Sequence, residues 1–298
     1  MGLKYCPIFF IKGVSMRRNV KLIIALIILI ILMFLGASDR ISYIISNAKI
    51  LYSNSIPEDI NIQAVKNNIE NYTGYDTFIY GIGKGLVPFS IIICPLILGY
   101  MFAGDFAYNL KTGFGNFIIT RQKFRNYFIK ITFKTFVKAF LLVLISEIIF
   151  LIICLIIFGN EKPIELYSPV VDSLGSIYYK IPFLYCLLQS LIQSFYMAIL
   201  TIIGMGFTMF TSNKFIITLS PFVIYLMINI ICPILDMAFN ASILQTIYPD
   251  YLIMSFMTGT YFMDNPIIHN VIGFGIYIII ASALLLCMYK KYNENYLR

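Results

Sequence analysis

The chain has 298 residues, of which 60% are hydrophobic and only 12% charged, with a net charge of +8. That balance excludes a soluble globular domain and a disordered chain, because several runs approach the ~20 apolar residues that a spanning helix needs. It also excludes a nucleic-acid binder, since the basic residues alternate with apolar runs along the chain and do not gather into one solvated face.

Residues 1–19 are basic and partly apolar, compatible with an interfacial helix, a disordered tail or a start at Met16. Val20–Ala37 is the first spanning candidate. Leu35-Gly36-Ala37-Ser38 is a poor cleavage site, so the helix is expected to be retained. Asp39–Lys84 is the longest polar region, expected to fold over the outer mouth of the protein. Gly85–Gly104 is the second span, interrupted by Pro88 and Pro95. Asp105–Lys138 follows, with seven basic residues against the single acid Asp105. Its last part is expected to join the third span, Ala139–Phe158, in one long helix.

Asn160–Lys180 is a short connection. The fourth span, Ile181–Phe210, is over-long and must tilt or project beyond the bilayer. After a tight turn at residues 211–214, the fifth span, Phe215–Leu235, contains Pro221, Asn229 and Pro233. Residues 236–266 carry only acids and are broken by Pro249-Asp250, which predicts a re-entrant or interfacial hairpin. Ile267–Tyr289 is the sixth span.

Charge sets the orientation. Segments assigned inside carry sixteen basic residues against two acids, and those assigned outside carry six against eleven. Positive charge stays on the cytoplasmic side, so the expected architecture is all-α: one domain over residues 1–298, six membrane helices and both termini cytoplasmic. No internal repeat is visible, which argues against an inverted-repeat carrier. With no tryptophan, the interfacial belt falls to tyrosine and phenylalanine.

Absent motifs narrow the chemistry. There is no Walker-type phosphate loop; Gly81-Ile-Gly-Lys-Gly85 has the wrong spacing. There is no H-E-x-x-H, and His269 is the only histidine. The six cysteines form no CxxC pair and read as buried hydrophobes, so neither a metal nor a catalytic residue is expected. Glu147 is the one ionisable residue well inside a span, and a carboxyl there must face protein or water. Gln189 and Gln193 share a helix face. Together with Glu147 and Asn229 they are candidates for a translocation path, with interhelical packing as the plainer explanation for the two glutamines.

The central basic segment carries the most informative pattern. Asp105 follows the second span, then Asn109-Leu110-Lys111-Thr112-Gly113-Phe114-Gly115, then Phe117-Ile118-Ile119-Thr120-Arg121, with Lys130 opening the third helix. This order resembles the permease subunits of type-2 ABC transporters, as does the topology of six helices with a hairpin before the last. The resemblance implies a bacterial cell-membrane exporter subunit that pairs with a separate ABC ATPase and with a second permease copy or paralogue. ATP and Mg would then be bound by that ATPase, not by this chain. Lys111–Thr120 would be the coupling helix, with Phe114, Phe117 and Ile118 as apolar anchors, Gly113 in the turn and Arg121 near the membrane surface. Membrane lipid is the other partner expected there. The rival readings are an ion-coupled secondary transporter, disfavoured by the single intramembrane acid, and a non-transporting scaffold or immunity protein.

Overall fold

A computed structural model describes residues 7–52, 62–70, 72–84, 89–104, 123–163, 175–211, 213–239 and 266–297. The described residues are almost entirely helical and contain no strand. Four helices are long and apolar enough to cross a membrane: Val20–Leu51, Phe124–Phe158, Pro182–Met209 and Val271–Asn293. Ile93–Ala103 and Lys214–Ile228 are shorter apolar helices. The chain is a multi-pass, all-α membrane protein.

Helix α1 (Pro7–Leu51) runs well past the span expected to end at Ala37. From Val20 it covers about 48 Å, more than the ~30 Å hydrocarbon core. The polar half stays helical because Ser38, Ser42 and Ser46 each donate to the carbonyl three residues back, at 2.6–2.8 Å. These hydroxyls satisfy themselves on their own helix and do not draw the backbone into a turn.

The region expected as outer cover differs more. Besides α2 (Ile62–Glu70), it contains α3 (Gly74–Ile79) and a π-helical continuation, Tyr80–Lys84. Every residue from Tyr72 to Ile79 is buried. Small residues make this possible. Gly74 lies under the end of the third long helix, and a Cβ there would sit 2.6 Å from the Cys154 carbonyl oxygen and 2.8 Å from that of Gly159. Gly36 of α1 meets the Gly81 backbone in the same close manner. Helix α4 (Phe89–Leu98) holds Pro95 and passes into a second π segment, Gly99–Ala103.

Helix α5 (Phe124–Phe158) joins the basic stretch and the third span, as expected, and stops at Gly159, whose φ of 87° suits glycine. After the short α6 (Gly175–Lys180) comes α7 (Pro182–Gly206), with proline in its first turn and a 3-10 turn, Phe207–Met209, at its end. Asn213 then caps α8 (Lys214–Phe239), accepting from the Phe215 amide at 3.0 Å. Helix α9 (Pro266–Leu297) closes the chain. Residues 240–265, the greater part of the expected hairpin, lie outside the described residues, as do 105–122.

Helix α7 is the core. It is the most buried of the long helices and packs on α4, α5, α8 and α9. Exposed isoleucines, leucines and methionines on α1, α8 and α9, such as Ile27, Ile31, Met227, Ile230 and Ile279, give the bundle the apolar outer surface that lipid requires. One junction holds three helices. Pro221 of α8 sits against Gly204 of α7 and Gly99 of the π segment that continues α4, where a Cβ on Gly204 would lie 2.3 Å from the proline ring.

Gly74→Ala is expected to destabilise the fold by about 1–3 kcal/mol, because only backbone atoms surround the site and none can swing away. Gly275→Ala, with no atom within 4 Å of the new methyl, is expected to be neutral or slightly stabilising. Thermal unfolding of the two variants in the same detergent checks the contrast.

Candidate functional site

Polar side chains inside a membrane bundle are costly unless they are partnered, so their positions mark sites of structural or functional demand. The described residues contain two such layers, and both touch α7. The first, close to Gly159 and Gly74, centres on Asp76, which is only 2% exposed. Thr73 caps α3 in a reciprocal box: its hydroxyl accepts from the Asp76 amide, and Asp76 accepts from the Thr73 amide at 3.1 Å. The Thr73 hydroxyl donates to Asp76 Oδ2 at 2.8 Å, and the phenol of Tyr178 in α6 donates to Oδ1 at 2.9 Å. The carboxylate thus ties α3 to the segment leading into α7.

Tyr72 extends this layer. Its phenol accepts from Thr77 at 2.8 Å, and its ring stands edge-on to Phe158. Arg40 of α1 lies 5.2–5.6 Å from the ring centres of Tyr43, Tyr72 and Tyr80, so a cation is held by three aromatic faces. Burial pushes the Tyr72 phenol well above its ordinary range, while the Thr77 hydrogen bond and Arg40 oppose the rise. The phenol therefore remains neutral across physiological pH.

The second layer lies deeper, in the seam between α5 and α7. Glu147 on α5 is 2% exposed, with Ser190 of α7 and Cys94 of α4 beside it. Gln189, Gln193 and Ser194 on α7 are all buried. Among the described residues, Glu147 Oε2, Gln193 Oε1 and Ser194 Oγ make no hydrogen bond. Buried polar atoms in native proteins rarely stay so, and a proton, a water or another polar group normally meets them. In the Asp76 layer the carboxylate is paired, although Arg40 Nε there also makes no hydrogen bond among the described residues.

Of the residues singled out from sequence, Glu147, Gln189 and Gln193 therefore fall in one buried region of a single chain. Asn229 falls in α8, but its side chain lies outside the described residues. Lys130 is exposed near the start of α5. Asp105, Lys111, Gly113, Phe114, Phe117, Ile118 and Arg121 lie outside the described residues. Asp76 and Tyr178 were not singled out. The readable signal for Asp76 is Thr73-Gly-Tyr-Asp76, a capping-box pattern running into the apolar Phe78 and Ile79. No group of three or more metal-ligating side chains occurs among the described residues.

A third feature lies at the basic end of the bundle. Ala103 and Phe124, the two flanks of residues 105–122, share one packed cluster with Met205 of α7, Ile217 of α8 and Met288 of α9. Tyr289 stacks on Phe124 with ring centres 5.6 Å apart. Tyr292 donates to the Thr208 carbonyl at 3.1 Å, and Lys291 to that of Met209. Helices α4, α5, α7, α8 and α9 all start or end here.

In comparisons with family models, curated proteins and solved structures, nothing matches this chain.

Tyr178→Phe removes a hydrogen bond to a buried carboxylate and is expected to cost about 1.5–3 kcal/mol of stability. Asp76→Asn should cost a similar amount. Because the two groups share one bond, the double variant should lose clearly less than the sum of the single losses in a double-mutant cycle.

Proposed function

We propose that the chain is the membrane-embedded permease subunit of an ATP-driven bacterial export system. In this reading it crosses the cell membrane six times with both termini cytoplasmic. A separate ABC ATPase docks on Lys111–Thr120, and a second permease copy or paralogue completes the transporter. Catalysis of ATP hydrolysis, with its Mg, belongs to the ATPase. The substrate class is a peptide, lipid, drug or ion.

The observation that carries the reading is the shared cluster at the basic end. The motif order between Asp105 and Lys130 matches a coupling segment, and both flanks of that segment are locked to the ends of α7, α8 and α9. A push on residues 105–122 therefore has a packed route into three other helices, as transmission of ATPase closure requires. The π segment Gly99–Ala103 leads toward Asp105 and is wedged by Gly99 against Pro221 of α8, so a push entering there would bear on α8 as well. Glu147, Gln189 and Gln193 would be reached through α7, and re-pairing of their polar atoms would accompany a shift of α7 on α5.

The buried Asp76 invites a second reading, an ion-coupled carrier with two intramembrane acids. Its oxygens, however, are committed to Thr73 and Tyr178 in a helix cap. That is the environment of a structural anchor; an exchangeable ion site needs oxygens that can be released.

Tagged protein is expected to co-purify with its ATPase from mild detergent. Phe114→Asp combined with Phe117→Asp should abolish that capture while membrane insertion and the thermal transition stay unchanged. If no ATPase accompanies the wild type, the permease reading fails.

A further inference from the structure

A charge buried inside a membrane protein has to be paired or neutralised, and the spans of this chain offer Glu147 no cationic partner. No lysine or arginine occurs in residues 22–39, 85–104, 139–158, 181–210, 215–235 or 267–289. On its own helix the nearest basic residue is Lys138, nine positions and about 13 Å away along the axis. Glu147 is 2% exposed, so water does not supply the missing charge compensation either.

What surrounds the carboxyl is mostly oxygen. Ser190 of α7 and Cys94 of α4 lie beside it. Gln193 and Ser194 follow Ser190 by three and four positions, which makes them its neighbours on the next turn of α7. Both are buried. Glu147 Oε2, Gln193 Oε1 and Ser194 Oγ make no hydrogen bond among the described residues. Other buried helical hydroxyls settle on their own backbone. Ser146 donates to the Val143 carbonyl at 2.7 Å, and Thr201 and Ser220 donate to those of Met197 and Ile217 at 2.8 Å. Ser194 departs from that habit, and its oxygen is left for the seam.

Charge and oxygen together narrow the occupant. A water would donate to these oxygens but leave the negative charge in place. A proton would remove the charge, yet it makes a single donor and can meet only one of the other two acceptors. A divalent ion would leave a buried excess of positive charge. A monovalent alkali cation balances one carboxylate and gathers several neutral oxygens at once, the donors that hard cations prefer; the Cys94 thiol is a soft ligand and poorly suited to it. We infer that the α5–α7 seam is a binding site for a monovalent cation of sodium size: Glu147 supplies the charge, and Ser190, Gln193 and Ser194 supply neutral oxygens. The inference rests on charge balance and donor set and does not depend on the ATPase reading. Occupancy would tie α5 to α7 through the one acid in their contact.

Thermal unfolding of the full chain in detergent, at constant ionic strength in sodium, potassium or choline chloride, tests this. A ligand that binds only the folded state raises the transition as its concentration rises. Sodium is expected to raise it saturably, potassium less and choline not at all, and radiolabelled sodium should be retained at one ion per chain. Glu147→Gln keeps the shape and removes the charge, so it should abolish both the sodium response and the retention. Ser194→Ala, which removes one oxygen, should raise the half-saturating sodium concentration about tenfold, and Ser194→Thr should restore it. Equal behaviour of the wild type in all three salts would overturn the inference. If such an indifferent wild type lost stability with rising pH while Glu147→Gln did not, the neutralising charge would be a proton, and the inference would fall. A sodium response that persists in Glu147→Gln would put the ion elsewhere and overturn it too. Should Glu147→Gln fail to insert, the serine pair decides: an unchanged half-saturation in Ser194→Ala overturns the site.

Discussion

A helix broken by proline inside a bilayer is stable only if nearby groups take up the carbonyl that it frees, and the Pro221 junction meets this demand. Proline at 221 leaves the Ile217 carbonyl without its helical donor; the Ser220 hydroxyl reaches it at 2.8 Å and also lies 3.1 Å from the Gly204 carbonyl. The ring itself fits only because Gly99 and Gly204 present bare backbone. Three helices thus meet at a contact made of backbone and one rigid ring. Such a contact has few alternative arrangements, so α4, α7 and α8 move together or the junction breaks. The aromatic cluster at the basic end lies directly beyond it: Ile217, Met205 and Ala103 are one turn or so from Ser220, Gly204 and Gly99.

The two polar layers on α7 differ in how completely they are satisfied, and that difference assigns them different mechanical roles. Around Asp76, three hydrogen bonds to the carboxylate and the Arg40–tyrosine contacts fix α1, α3 and α6 to one another. Paired buried groups rigidify a structure, and here the pairing is that of Asp76, since Arg40 Nε makes no hydrogen bond among the described residues. In the α5–α7 seam, Glu147, Gln193 and Ser194 each keep a polar atom that makes no hydrogen bond among the described residues. An interface that leaves polar groups unmet loses little when it shifts, and gains when a polar group arrives to meet them. Around α7, the polar groups at the Asp76 end are tied by hydrogen bonds, and those in its middle include atoms with none among the described residues.

Much of this was legible in the sequence, because hydropathy and charge act through the bilayer on every residue at once. The long apolar helices, the fusion of Phe124–Ala139 with the third span, the burial of Glu147 and the shared face of Gln189 and Gln193 all follow from period and composition. What escaped was packing by small and self-satisfying residues. Asp39–Leu51 reads as polar connector, yet Ser38, Ser42 and Ser46 bond to their own helix and leave it intact. Gly74–Lys84 reads as a loop because its three glycines and two charged residues lower its hydropathy. In the fold, two of those glycines are the close-contact points that let it enter the bundle. Hydropathy sums side-chain transfer energies and is blind to the absence of a side chain where two backbones must touch.

The same blindness explains why the acid count misled about mechanism. Read from sequence, Glu147 is the sole intramembrane acid and Asp76 a loop residue; in the fold both are buried, and only geometry separates them. Asp76 spends its acceptors on a cap and a tyrosine, so removing its charge should damage the fold before it damages any activity. Glu147 has an oxygen in reserve beside Ser190 and Cys94, on the helix that begins in the basic segment. A displacement entering at Phe124 reaches Glu147 along about 35 Å of unbroken α5, while α7 is held at its far end through Tyr178 and at its near end by Pro221. α3 is itself seated on the end of α5, where the Gly74 amide donates to the Gly159 carbonyl at 3.0 Å, so a shift of α5 on α7 would load the Asp76 layer as well as the seam. What separates the two acids is the state of their oxygens: those of Asp76 are paired with Thr73 and Tyr178, while Glu147 Oε2 makes no hydrogen bond among the described residues.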